Sequence, residues 1–300
     1  MAQRTWLIVG SVPDENFPLL RTSLTLKDSQ TLICEETHFA LPIVRGTPTL
    51  LAAAILTKQT LKADTSDSDF QAMLVGDTGS GAGCRKLYAA LLESLTCAKA
   101  LSGLTFHYLY PDVDWQNRLL LALENLEAKP CLVADAGYMY AAKMSGYASH
   151  YDLFTPDLGE LSFLADENAP HPFYTRGFLL DLRQSVSELI ARAYDYDNAA
   201  KWLIVKGEID HIVCLGQTVA TVDQPNVAAM EAIGGTGDLV TGVVTGLLAA
   251  GFELSEACEL AARICREAGM LANPTPATQI ATILPYIPLA MDKCLSKTSG

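Results

Sequence analysis

Residues 234–242, Gly-Gly-Thr-Gly-Asp-Leu-Val-Thr-Gly, carry the pattern with the most chemical content in this sequence. They open a stretch of helical period that runs through Gly246 to Ala250. Consecutive glycines at a helix start leave amide N–H groups unobstructed, so Gly235, Thr236 and Gly237 would form an anion hole. Asp238, in the same first turn, would be kept ionised by the helix dipole. A carboxylate is too weak to deprotonate an alcohol in advance. Its chemistry would be to orient a hydroxyl and take the proton as that hydroxyl attacks phosphorus. Capping alone also accounts for an Asp at this position, with Gly242 and Gly246 serving close helix packing. The glycines before Asp238 are what favour the anion site.

Three other segments offer reactive groups. In Phe154-Thr155-Pro156-Asp157-Leu158-Gly159-Glu160, a strand gives way to a helix, and Glu160 falls in the helix's first turn. There it could hold hydrated Mg²⁺ beside a diphosphate or triphosphate, or only favour the dipole. Lys206-Gly207 ends the apolar run Trp202–Val205 and offers a cation at the same edge, although lysines at strand ends are mostly solvated. The glycine-rich stretch from Gly76 to Lys86 has Ala82 and Gly83 where a P-loop needs Lys and Ser or Thr. It also has Cys84 where a dinucleotide fingerprint needs Gly or Ala. What remains is a loop that a ligand can approach closely, or a tight strand-to-helix turn.

The elements that must position these groups alternate. Short apolar runs at Trp6–Val9, Ala72–Val75, Thr105–Leu109, Cys131–Ala134, Tyr151–Phe154, Trp202–Val205 and His211–Leu215 read as strands. Helical periods fall between them at Pro48–Leu61, Arg85–Leu95, Trp115–Leu126, Gly137–Met144, Gly159–Ala165 and Leu180–Ala193. Strand then helix, repeated, predicts a mostly parallel sheet covered on both faces. Three more helices are expected near Gly237–Ala250, Ser255–Ala272 and Pro276–Leu289. Ser23–Leu26 and Thr31–Cys34 resemble a hairpin ahead of the first helix, and Asp166–Gly177 is an irregular loop that is either a lid or a connection. The alternation makes residues 1–300 one large domain, with 1–45 as its atypical opening.

Composition narrows the partners. With 21 basic and 34 acidic residues the net charge is −13, which repels a nucleic-acid backbone and anionic lipid alike. The eight cysteines form no CxxC pair and the five histidines never fall at metal-ligand spacing, so reduced core thiols and no zinc site are expected. No apolar stretch approaches the ~20 residues that a bilayer requires. The run Trp6–Val9 is too short for a signal sequence, so the expected location is the cytoplasm.

The order TPDLGE at 155–160, VKG at 205–207 and GGTGDLVTG at 234–242 resembles the ribokinase-like superfamily. Within it, the chain looks most like the ADP/ATP-dependent NAD(P)H-hydrate dehydratases, which carry a Thr-Pro-x-x-Gly-Glu turn and a Gly-Gly-Ser/Thr-Gly-Asp helix start. The resemblance implies a three-layer α/β/α sandwich. It also implies an enzyme that uses ADP or ATP with Mg²⁺ to phosphorylate the hydroxyl of a hydrated nicotinamide ring, after which loss of phosphate restores NAD(P)H. Carried over, Asp238 is the base and Gly235, Thr236 and Gly237 are the anion hole. Lys206, Gly207, Glu208, Ile209 and Asp210 lie along the nucleotide, with Glu160 near Mg²⁺. Gly79 and Gly81 lie against the hydrated cofactor, and Thr47 lines the same pocket. Asp157 is a substrate contact, standing where the family's turn typically carries His. Two other functions fit the same residues: an ATP-dependent kinase of a sugar or a hydroxyalkyl heterocycle, and a nucleotide-binding protein without turnover. A homo-oligomer is compatible with each.

Overall fold

The computed structural model describes residues 4–61, 68–95, 101–168 and 185–298. In chain order, β1 (Arg4–Val12) is followed by β2 (Leu20–Thr22), β3 (Leu24–Asp28), β4 (Thr31–Cys34) and β5 (Ala40–Pro42). Strand and helix then alternate: α1 (Thr47–Thr60), β6 (Ser68–Gly76), α2 (Ala82–Leu95), β7 (Leu101–His107), α3 (Val113–Glu124), β8 (Cys131–Ala134), α4 (Tyr138–Met144), β9 (Leu153–Phe154), α5 (Leu158–Leu164), α6 (Val186–Asp195) and β10 (Trp202–Val205). The chain continues through the ribbon β11 (Asp210–Cys214) and β12 (Gln217–Val222). It ends in α7 (Thr236–Ala249), α8 (Leu254–Ala272), α9 (Ile280–Ile283) and α10 (Ile287–Thr298).

Nine strands form one sheet in the order β12-β11-β10-β9-β8-β7-β1-β6-β2. The six from β10 to β6 run parallel, β2 is antiparallel at one edge, and β11 and β12 are antiparallel at the other. Alternation along the strands fills both faces: Trp6 and Ile8 pack into a core with α1, α7, α8 and α10, whereas Leu7 and Val9 pack with α2 to α6. This is a three-layer α/β/α arrangement with a mostly parallel sheet, as the alternation predicts.

The two helices that carry the site pack unusually closely. A Cβ on Gly242 of α7 would lie 2.4 Å from the Leu50 carbonyl oxygen and 2.6 Å from the Ala53 Cβ of α1. Gly246 meets Thr57 in the same way, one turn on. That approach brings Gly46, the N-cap of α1, against the first turn of α7. Replacing Gly242 with Val is therefore expected to cost about 1–3 kcal/mol through overpacking, read as a lower urea midpoint. An unchanged midpoint would mean that the helices do not touch there.

The N-terminal hairpin is present as β3 and β4, extended by β5 into a three-stranded sheet that buries Leu32, Cys34 and Leu41 against the α1 side of the core. The final helical stretch departs from expectation. Pro285 lacks an N–H, and the chain there runs as α9, a 3-10 turn over 284–286 and then α10, which continues past Leu289 to Thr298. The helix expected from Leu180 begins at Val186 among the described residues, where Ser185 and Glu188 form a capping box. Most of the Asp166–Gly177 loop lies outside the described residues.

Candidate functional site

The carboxyl ends of the parallel strands deliver side chains to one place, as α/β sheets do. β7 ends at His107, β8 is followed by Asp135, β9 by Thr155 and Pro156, and β10 by Lys206. α7 starts above them. Gly235, its N-cap, sits at φ 100°, a left-handed conformation that glycine adopts at little cost. Among the described residues no side chain caps this helix, because the Thr236 hydroxyl turns back to the Ile233 carbonyl at 3.2 Å. The first amides of α7 are thus available to an anion.

Asp238 is 5% exposed, and each of its oxygens has a donor. Oδ2 accepts the Gly46 N–H at 2.5 Å, and Oδ1 lies 3.1 Å from His107 Nε2. Burial pushes the Asp238 carboxyl up, but the His107 contact, the Gly46 amide and the Lys206 charge outweigh it and hold the group below its ordinary value. Ionised Asp238 only accepts hydrogen bonds, which assigns the His107 proton to Nε2. On the other side of the imidazole, Nδ1 meets Thr47 Oγ1 at 3.1 Å, and that hydroxyl also lies 2.8 Å from the Ser11 carbonyl.

A second carboxylate, Asp135, is held by Thr241 Oγ1 at 2.6 Å and by Lys206 Nζ at 3.3 Å. Thr155 Oγ1 lies 3.0 Å from the Thr241 hydroxyl. Lys206 Nζ also sits 3.2 Å from the point that a Cβ on Gly237 would occupy, so the ammonium borders the α7 amides. Burial alone would lower the Lys206 pKa, yet Asp135, Glu160, Asp157 and Asp238 together drive it up. Glu160 is the converse case: burial raises its carboxyl to about 8, with Lys206 opposing and Asp135 and Asp157 adding to the rise.

The other sequence-derived positions have defined places. Asp157 and Glu160 form the capping box of α5, with Asp157 Oδ1 accepting the Glu160 N–H at 2.7 Å and Glu160 Oε2 accepting the Asp157 N–H at 2.8 Å. The Tyr140 hydroxyl lies 3.2 Å from the other Glu160 oxygen. Thr47 is fully buried behind His107, so it meets the site through the imidazole and not as an open wall. Glu208 and Ile209 are exposed in the β10–β11 turn. That turn is pinned by Asp210, which accepts the Gly207 N–H and pairs with Arg266 Nε at 2.7 Å. Arg266 also donates to the Gly207 and Glu208 carbonyls.

The glycine loop is organised from within. Asp77 accepts the N–H groups of Gly79 at 2.8 Å, Gly81 at 3.1 Å and Cys84 at 2.9 Å, so the chain's own carboxylate occupies the amide nest. Burial raises the Asp77 carboxyl, and those amides lower it further than burial raises it. A lowered folded-state pKa means stability that is present above the ordinary Asp range and lost as pH falls through the folded value. Asp77→Asn is expected to remove about 1–3 kcal/mol at neutral pH and to flatten that acid dependence, measured by urea unfolding at several pH values. Equal stability of variant and wild type at neutral pH would contradict the nest.

His107, Asp135 and Gly46 carry no local motif, and Thr241, inside the 234–242 motif, carries no sign there of its Asp135 partner. Each donor atom of His107, Asp135 and Asp238 lies within 4.8 Å of the other two, although 28 and 103 residues separate them along the chain. Spacing of histidines in sequence could not reveal such a group. The signal that was present is position, and for Asp135 only, since it follows the apolar run Cys131–Ala134 directly.

A profile of the NAD(P)H-hydrate dehydratase family matches residues 112–288. An uncharacterised protein of Methanocaldococcus jannaschii is 37% identical over 230 residues, covering 76% of this chain and 94% of that relative. The chain belongs to the NAD(P)H-hydrate dehydratase family. Its fold is that of the ribokinase-like superfamily. A superfamily protein from Enterococcus faecalis aligns over 97% of this chain and 87% of its own at TM-score 0.55 and 16% identity. The ADP/ATP-dependent NAD(P)H-hydrate dehydratase of Bacillus subtilis, crystallised with ATP and Mg²⁺, aligns over 97% and 89% at TM-score 0.55 and 12% identity. The family match spans Asp135, Glu160, Lys206 and Gly235–Asp238, whereas Gly46, Thr47, His107 and Tyr108 lie ahead of it. No helix among the described residues is long and apolar enough to cross a membrane.

Proposed function

We propose that this family member transfers a phosphoryl group from ADP or ATP to a substrate hydroxyl and that its substrate is hydrated NAD(P)H. The observation that carries this reading is a buried, ionised Asp238 beneath the uncapped amides of α7, with the Lys206 ammonium beside them. The roles follow from the geometry. Asp238 aligns the hydroxyl, with one oxygen fixed by Gly46 and the other by His107, and accepts the proton while the new O–P bond forms and the nucleotide's P–O bond breaks. The amides of Gly235, Thr236 and Gly237 hold the transferring phosphoryl oxygens, and Lys206 balances their charge. On the hydrate, the phosphate then departs with its C–O electron pair, the adjacent ring carbon gives up a proton, and the nicotinamide double bond returns.

Mg²⁺ takes oxygen ligands, and it would supply charge neutralisation at the phosphates. Glu160 would be the carboxylate to hold it: it is buried beside Asp135 and Asp157, and a cation would take its Oε1 in place of the Tyr140 hydroxyl that now donates there at 3.2 Å. The His107, Asp135 and Asp238 group fits it poorly, because one donor is a nitrogen already committed to Asp238.

The deciding experiment incubates the protein with hydrated NADH, Mg²⁺ and either ADP or ATP, and follows the return of reduced-nicotinamide absorbance. Recovery with either nucleotide supports the reading. If a stable phosphorylated product forms from a hydroxymethyl heterocycle and the hydrate is untouched, the protein is a small-alcohol kinase.

A further inference from the structure

Tyr108 stands out at the mouth of this site. It is a bulky residue at φ 50°, in the left-handed region that such side chains rarely adopt. Its backbone is held there from both sides: the N–H donates to the Ala136 carbonyl at 3.0 Å, and the carbonyl accepts from the Ser11 hydroxyl. The residue is nevertheless 49% exposed, so the strain does not serve to bury it. It stands edge-on to His107, with centroids 4.5 Å apart at 84°, and lies 3.8 Å from the point that a Cβ on Gly46 would fill. It therefore covers both groups that hold Asp238. Its hydroxyl has no hydrogen-bond partner among the described residues, although Asp238, Asp135, Glu160 and Lys206 all act on it. A strained backbone kept in place by two hydrogen bonds, displaying an exposed ring beside a base, is what a binding group needs and a packing group does not.

We propose that Tyr108 is the substrate-selecting residue of this site: its ring face forms one wall for a ring-bearing alcohol whose hydroxyl reaches Asp238. The inference rests on the function proposed above for Asp238. It adds the residue that selects the substrate, since a tyrosine face recognises a flat or nearly flat ring and gains little from an open-chain alcohol.

The test compares wild type, Tyr108→Phe and Tyr108→Gly, with ATP-analogue affinity and thermal stability measured on the same preparations. Glycine relieves the strain at φ 50°, so Tyr108→Gly is expected to melt no lower than wild type while binding hydrated NADH at least about tenfold more weakly. Tyr108→Phe, which keeps the ring, should stay within about threefold of wild type, and both variants should keep their affinity for the ATP analogue. A glycine variant that binds the hydrate as tightly as wild type overturns the proposal. So does one whose melting temperature and nucleotide affinity fall together with hydrate binding. If wild type ignores the hydrate but binds pyridoxine, a hydroxymethyl heterocycle, the dehydratase reading falls while Tyr108 is judged on pyridoxine by the same comparison. A wild type that binds neither ring alcohol overturns both.

Discussion

Asp238→Asn is expected to lower kcat by about 10²–10⁴-fold while leaving nucleotide affinity nearly unchanged, because it removes the proposed proton acceptor and keeps the amides and Lys206 proposed to hold phosphate. The reason lies in the two contacts of the carboxylate. Gly46 N–H and His107 Nε2–H both need an acceptor, and Asp238 supplies one oxygen to each. An amide has one oxygen and one NH₂ group, so one of those two donors would face a donor. His107 can escape by moving its proton to Nδ1, where the Thr47 hydroxyl would accept it at 3.1 Å and donate its own to the Ser11 carbonyl at 2.8 Å. The variant should consequently fold, with a stability loss of no more than about 1–3 kcal/mol, and bind nucleotide. Steady-state kinetics with hydrated NADH and equilibrium dialysis with ADP separate the two effects. Turnover within about tenfold of wild type would show that another group takes the proton, and loss of nucleotide binding would make Asp238 a part of the phosphate site instead.

The glycines before Asp238 were readable as an open helix start because backbone chemistry is local: Gly235 has to be left-handed, and the following amides have to lack a cap. The parallel sheet was readable for a similar reason, since Trp6–Val9 and Trp202–Val205 are apolar on both faces and no half-exposed strand looks like that. β12 was not readable. It is an edge strand, largely exposed from Gln217 to Thr221, and although Thr218, Val219, Thr221 and Val222 are β-branched it has no continuous apolar run like those of the central strands. His107 was hidden inside an apolar run that continues to Leu109, because the strand's end is set by the left-handed Tyr108 and not by any breaker residue. Asp135 and Thr241 meet only because β8 and α7 cross at the sheet's edge, 106 residues apart in sequence. The glycine loop reads in the sequence either as a place of close ligand approach or as a tight strand-to-helix turn, and Asp77, two residues before Gly79, supplies the turn by accepting its amides.

Lys206→Met should be among the most destabilising single changes in the molecule, at about 3–5 kcal/mol, since breaking a buried ion pair leaves an uncompensated charge. Nζ lies 3.3 Å from Asp135 Oδ1 and 3.5 Å from Oδ2, and the Asp135 side chain is 3% exposed. With the ammonium gone, the Thr241 hydroxyl at 2.6 Å is the side-chain hydrogen bond left to that carboxylate, with His107 Nε2 3.7 Å away, while Asp238 adds to the local negative charge. Pairing Lys206→Met with Asp135→Asn removes the orphaned charge, so the double variant should be more stable than Lys206→Met alone, a non-additivity that a urea double-mutant cycle reads directly. Because the folded-state pKa of Lys206 is raised, its own contribution is fully present below the ordinary lysine range and is lost as pH rises through the folded value. Glu160, at about 8, changes charge nearer neutrality, so the cycle is run below that pH. A single variant as stable as wild type would mean that the acidic groups are neutralised without Lys206. The double variant should recover stability and not nucleotide affinity, since the lost ammonium also borders Gly237 at the start of α7. Stability and the proposed phosphate binding would thus draw on the same charge, and only the first could be restored by removing its partner.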